Sequence, residues 1–177
     1  MGRRLLLLGA SSAAAGALGG CGFHPLYATS GSGGGSPVAA ELAAVYVPVI
    51  AERPGQLIRQ ALQRRFEGAG TGVAKRYQID VSYTIAAEGI AIQRDTSTTR
   101  IRLVGSANWT LRTLSLERKA LTSGTARVLD GVNVQNQQYF ALELENQAAT
   151  QRVAEALADQ ITLKLGTWFQ QQAATPA

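Results

Sequence analysis

Tyr77-Gln78-Ile79-Asp80-Val81-Ser82-Tyr83-Thr84-Ile85 alternates large apolar and polar side chains without a break. A period of two held over this length predicts a strand with one face buried and the other in water. Gly89 interrupts the alternation, Ile90 and Ile92 resume it, and the polar run from Arg94 to Thr99 reads as the turn of a long hairpin. The return strand is expected over Arg100 to Leu114. Its odd positions Ile101, Leu103, Ala107, Trp109 and Leu111 share one face, and Arg100, Arg102, Asn108 and Arg112 share the other. A turn at Ser115 to Arg118 leads to a further strand over about Lys119 to Val128, and Asp130 to Gln138 reads as a polar loop.

Upstream of this meander, Val45 to Ile50 is a short β-type run, and Pro48 within it argues for an edge position because proline cannot donate to a ladder. A helix follows, with Pro54 near its first turn, Leu57, Ile58, Ala61, Leu62 and Phe66 at helical spacing, and Gly68 and Gly70 ending it. Downstream, Leu142 to about Gln170 predicts a long helix with Ala148, Ala149, Val153, Leu157, Ile161 and Trp168 on one stripe. The expected fold is therefore α+β: two helices packed on one face of a roughly four-stranded, mostly antiparallel sheet, a two-layer sandwich whose other face stays polar.

The amino terminus carries a different message. Arg3 and Arg4, an apolar stretch from Leu5 to Leu18, and Leu18-Gly19-Gly20-Cys21 have the layout of a lipoprotein signal peptide, in which the glycines leave room for cleavage before the cysteine. The stretch falls short of the roughly 20 residues that span hydrocarbon. An ordinary secretory cut is the alternative to acylation, and the arginine pair gives a weak hint of twin-arginine export. The expected organisation is a signal peptide at 1–20, a lipidated Gly/Ser-rich tether at 21–41, an α+β domain at 42–170 and a disordered tail at 171–177. Cys21 is the only cysteine, so once acylated it leaves no internal disulfide, and burial alone must stabilise the domain. The net charge of +5 falls by two when Arg3 and Arg4 are cut away. That mild excess favours anionic surfaces and argues against a nucleic-acid partner.

Catalytic constellations are missing. His24, the single histidine, lies three residues after Cys21, so no serine or cysteine has a plausible histidine base within the domain. One histidine and no free thiol leave only scattered carboxylates for a metal. The reading is of a protein that is not an enzyme and needs no cofactor or metal beyond covalent lipid on Cys21. What remains is a set of cations along the hairpin and next strand: Arg94, Arg100, Arg102, Arg112, Arg118, Lys119 and Arg127. Guanidinium groups suit clustered phosphates because they donate two parallel hydrogen bonds. The same residues fit equally well the solvated side of a sheet.

Several segments together resemble the lipopolysaccharide-assembly lipoprotein family LptE, in its alphaproteobacterial branch. They are Cys21-Gly22-Phe23-His24-Pro25-Leu26-Tyr27, Gln56-Leu57-Ile58-Arg59-Gln60-Ala61-Leu62, Ile90-Ala91-Ile92-Gln93-Arg94-Asp95-Thr96, Ser123-Gly124-Thr125-Ala126-Arg127 and Arg152 to Ile161. The resemblance implies an outer-membrane lipoprotein, lipid-anchored on the periplasmic side. It implies that the domain plugs and helps assemble the translocon β-barrel LptD, binds lipopolysaccharide and assists its delivery to the cell surface. Arg94, Arg100 and Arg102 are the lipopolysaccharide-binding candidates, chosen by chemistry and position. A periplasm-facing lipid-binding or transporter-accessory lipoprotein is the alternative.

Overall fold

The computed structural model describes residues 37–69, 72–92, 98–133 and 139–174. In chain order these form α1 (Pro37–Ala43), β1 (Val45–Tyr46), α2 (Glu52–Phe66) with a closing 3-10 turn (Glu67–Ala69), β2 (Tyr77–Ile92), β3 (Thr98–Thr113), β4 (Ala120–Asn133) and α3 (Tyr139–Ala174). The strands make one sheet in the order β1-β2-β3-β4. β1 runs parallel to β2, and the other two pairings are antiparallel.

Parity decides the layers. Ile79 faces Leu111, Val81 faces Trp109 and Tyr83 faces Ala107, so the odd positions of β2 and β3 form one apolar face. Ala107 in turn faces Ala126 of β4. Ile79, Leu103, Ala107, Trp109, Leu111 and Ala126 are buried there beneath Ile58, Leu62 and Phe66 of α2 and Val153, Leu157, Ile161 and Leu165 of α3. The α+β sandwich expected from the alternation is the fold observed. α3 lies directly on β3 at Gly105, where an added Cβ would collide with Val153 and come within 3.3 Å of Leu157 Cδ1. α2 closes the same face through Gly55, whose Cβ would stand 2.7 Å from Ile50 Cγ2 and 3.0 Å from Tyr83 Cε1. Arg65 donates to Asp159 at 2.5 Å, joining the two helices.

Four boundaries differ from expectation. Pro37–Ala43, assigned by sequence to the tether at 21–41, is a helix: proline suits a first helical position, and Val38, Ala39, Leu42 and Ala43 are buried at helical spacing. The described fold therefore includes Pro37 to Glu41 as well as the stretch from Leu42. The run Val45 to Ile50 shortens to a two-residue strand, because Pro48 has no N–H to donate and the carbonyls of Val47 and Ile50 accept from Arg59 Nε (3.4 Å) and Gln56 Nε2 of α2. β4 continues past Val128 to Asn133, since a ladder is built from main chain and the polar residues there still pair with β3. α3 extends beyond both expected ends, and Ala148 is exposed rather than on the core stripe. Cys21, the turn residues from Gln93 to Ser97, most of the loop to Gln138 and the tail from Thr175 lie outside the described residues, and so does Arg94.

Candidate functional site

The open face of the sheet is built from the even positions of β2 and β3 and the β4 residues opposite them. Its cross-strand rows follow from the register: Gln78–Arg112, Asp80–Thr110–Ser123, Ser82–Asn108–Thr125, Thr84–Ser106–Arg127, Ala86–Val104–Leu129 and Glu88–Arg102–Gly131, with Arg100 two residues before Arg102 on β3. The cations expected to form one set are thus dispersed. Arg112 donates through Nε to Asp80 at 3.0 Å, and Gln78 donates to the same carboxylate at 2.7 Å, so the charge at that end is compensated. Arg118 and Lys119 belong to the β3–β4 turn, at the same end as Arg112. Twelve residues of strand separate Arg112 from Arg100, about 40 Å at the rise of an extended chain.

Arg100 and Arg102 stay together at the hairpin end. Both are exposed, two residues apart on one face, and neither joins an ion pair among the described residues. The Arg100 guanidinium lies beside Gly131 of β4, where a Cβ would make only ordinary contact at 3.7 Å from Nη2 and 3.8 Å from Nε. Glu88 is opposite Arg102 in the register. The nearby carboxylate of Asp130 points to the helix side, where it accepts from Arg152 Nε at 2.8 Å. Among the described residues, then, no carboxylate pairs with either guanidinium group.

The next row inward was not anticipated. Ala86, Val104 and Leu129 put apolar side chains across the open face, and Leu129 is 58% exposed. Its row lies between Arg127 on one side and Arg102 on the other. An apolar strip with guanidinium groups at its borders suits an amphiphile that carries both acyl groups and phosphate. The signal was in the sequence: Val104 breaks the polar parity of β3, and Leu129 stands two residues after Arg127.

The two edges of the sheet are treated differently. Gln160 of α3 caps β4 twice, accepting from the Arg127 N–H at 3.2 Å and donating to the Arg127 carbonyl at 3.0 Å, and Lys164 donates to the Thr125 carbonyl. On the other side β1 covers only Tyr77 and Gln78. Beyond it a groove of about 490 Å³ separates Val81–Ile85 of β2 from Ala51, Glu52 and Pro54 at the start of α2. Tyr83 donates through its hydroxyl to the Ala51 carbonyl (3.2 Å) and Glu52 Oε2 (3.3 Å), and Glu52 is held at φ +64°. Burial pushes the Tyr83 phenol above its ordinary pKa, the backbone at Gly55 pulls it down, and the Glu52 carboxylate adds to the rise.

Among the described residues no three His, Cys, Asp or Glu side chains gather to hold a metal ion, and no helix is long and apolar enough to cross a membrane. The fold is that of small lipoprotein domains. A lipoprotein structure from Caulobacter crescentus CB15 superposes with a TM-score of 0.62 at 20% identity, covering 75% of this chain and 96% of that one. Rare lipoprotein B from Shewanella oneidensis gives 0.55 at 9% identity, covering 73% and 96%. Lipoprotein B from Nitrosomonas europaea gives 0.52 at 12% identity, covering 71% and 82%. A comparison with curated protein sequences finds no match. The family is fixed by sequence: the LptE model, lipopolysaccharide assembly, matches residues 42–165, and the chain belongs to that family. Its role lies in lipopolysaccharide transport and assembly.

Proposed function

We propose that the protein is a lipid-anchored outer-membrane lipoprotein that occupies and helps assemble the LptD translocon barrel and passes lipopolysaccharide toward the cell surface. The observation that carries this reading is the open sheet face, where Arg100 and Arg102 adjoin the Ala86–Val104–Leu129 row in a chain of the lipopolysaccharide-assembly family. A polar, charged face on a domain closed on its other side suits an aqueous barrel lumen. Arg94, which precedes Arg100 and Arg102 in the sequence and lies outside the described residues, is a third proposed contact. The face supplies guanidinium and apolar groups that suit binding, and the role we propose is to hold and transfer the glycolipid without a metal or cofactor. Acyl chains on Cys21 would provide the anchor; two or more are needed for stable residence, because one chain alone binds marginally.

Two measurements test this. Mass spectrometry of the mature protein should show acylation at Cys21, and native extraction should yield the protein with a large outer-membrane barrel in near-equal amount. Elution as a free monomer would favour the transporter-accessory alternative. For the site itself, Arg100→Glu with Arg102→Glu should leave stability within about 0.5 kcal/mol, both side chains being exposed. Lipopolysaccharide affinity should fall in a salt-dependent way, since exposed charges are screened over about 8 to 10 Å. Equal affinities for wild type and double mutant at low salt would return both arginines to a solvated sheet face.

A further inference from the structure

Among the described residues β2 has a long unpaired edge, and the neighbouring segment turns away from it. Arg59 and Gln56 hold the carbonyls of Val47 and Ile50, so the segment after β1 turns onto α2 instead of continuing along β2. The orientation of the edge follows from hydrogen bonds at its start: the Arg76 and Tyr77 N–H groups donate to Ala44 on the β1 side, the Arg76 carbonyl accepts from Leu114 on the β3 side, and the Thr113 N–H, opposite Tyr77, turns away to Lys119. Alternation along the strand then turns the N–H and C=O groups of Val81, Tyr83, Ile85 and Ala87 away from β3. Among the described residues no strand pairs with them.

Exposed edges are normally blunted by charge, proline, a bulge or a covering element. β4 follows that rule through Gln160 and Lys164. From Val81 to Ala87, β2 has neither charge nor proline, and its register shifts come only after Gly89. Beside this stretch lies the groove at the start of α2, bordered by Glu52 in a left-handed conformation that a side chain adopts only when its surroundings enforce it. An unpaired main-chain ladder beside a groove with an apolar side specifies its occupant's backbone: an extended segment, with alternate side chains entering the groove.

We propose that the free edge of β2 from Val81 to Ala87 takes an added β-strand from another polypeptide, an extended segment of alternating apolar and small polar residues carrying a basic side chain. The charge follows from Glu52, the one charged side chain among the residues that line the groove. A second copy of this chain fits poorly: Tyr83 holds Glu52, so a twofold pairing centred there sets Glu52 against its own counterpart. The inference does not depend on glycolipid binding at Arg100 and Arg102, and its failure leaves that reading untouched.

The test uses the mature full chain in detergent and a nine-residue peptide of alternating valine and threonine ending in lysine. A second version carries N-methyl groups on alternate amides, keeping the side chains but removing the ladder. The unmodified peptide should bind and slow amide exchange at Val81, Tyr83 and Ile85, while Ser82 and Thr84, already turned to β3, stay unchanged. The methylated peptide should bind at least tenfold more weakly. Ala87→Pro removes one outward N–H at an exposed edge position and should weaken binding by a similar factor with the circular dichroism spectrum unchanged. Equal binding of the two peptides, or no binding of either, overturns the proposal. A concentration-dependent dimer abolished by Ala87→Pro overturns the choice of partner in favour of a second copy.

Discussion

Gly105 is where α3 rests on the sheet, and replacing it with alanine tests that packing directly. The added methyl would collide with Val153 and lie 3.3 Å from Leu157 Cδ1, both fully buried. Overpacking of this kind costs roughly 1 to 3 kcal/mol, offset by about 0.5 to 1 kcal/mol because glycine is itself unfavourable inside a strand. The expected loss for Gly105→Ala is therefore about 1 to 2 kcal/mol. Val153→Ala alone removes two methyl groups from the core, about 1.6 kcal/mol of transfer energy plus a cavity term, or about 2 to 3 kcal/mol in all. In the double mutant the methyl at 105 occupies part of the space vacated at 153. The combined loss should match that of Val153→Ala or fall below it, a coupling of about 1 to 2 kcal/mol. Urea unfolding followed through the fluorescence of Trp109 and Trp168 measures all three variants. Losses that add to within about 0.5 kcal/mol would mean that α3 does not bear on the sheet at this point.

Replacing Gln160 by alanine should leave the core intact but free the Arg127 amide, whose hydrogen exchange should accelerate while that of Ala126, facing Ala107 within the ladder, does not. Alkaline titration at 295 nm should show phenols ionising above the ordinary value of about 10, because burial raises both Tyr77 and Tyr83. With the folded values raised, the contribution of these two phenols to stability is full below the unfolded value and declines as pH rises through the folded ones. Tyr77→Phe and Tyr83→Phe should remove the delayed portion of the titration, and a titration unchanged by both would refute the burial argument.

The period-two runs from Tyr77 to Ile85 and from Ile101 to Leu111 were enough to place both strands of the long hairpin and the face each buries, because parity is a local property that tertiary contacts rarely reverse. The helices were legible in the same way from Ile58, Ala61, Leu62 and Phe66 and from Val153, Leu157 and Ile161. What escaped was set by contacts distant in sequence. α1 follows a Gly/Ser run and is too short to be a stable helix alone; its Val38 and Leu42 are helical because the core receives them. The end of β1 depends on Arg59 and Gln56, a full helical segment further along the chain, and the parallel sense of β1 has no local signature. At the candidate site, strand parity correctly put Arg100 and Arg102 on one open face. It could not show that Arg112 would meet Asp80, because that pairing depends on the β2–β3 register.

The apolar row offers a way to separate an amphiphile site from a merely basic surface. Leu129 is 58% exposed, so Leu129→Ser gives up little packing within the domain and should change stability by less than about 1 kcal/mol. If acyl groups lie along Ala86, Val104 and Leu129, the exposed part of that leucine is what they cover. Full burial of a leucine is worth about 1.5 to 3 kcal/mol, so the fraction available here corresponds to about 1 to 1.5 kcal/mol, or roughly a five- to tenfold loss of lipopolysaccharide affinity. Apolar contact is insensitive to moderate salt, whereas the arginine contribution declines as salt screens it. The serine variant should therefore bind more weakly by the same factor across a salt series, while the Arg100→Glu, Arg102→Glu variant should differ from wild type chiefly at low salt. A Leu129→Ser protein that binds as tightly as wild type throughout would confine recognition to charge and remove the acyl part of the proposed site.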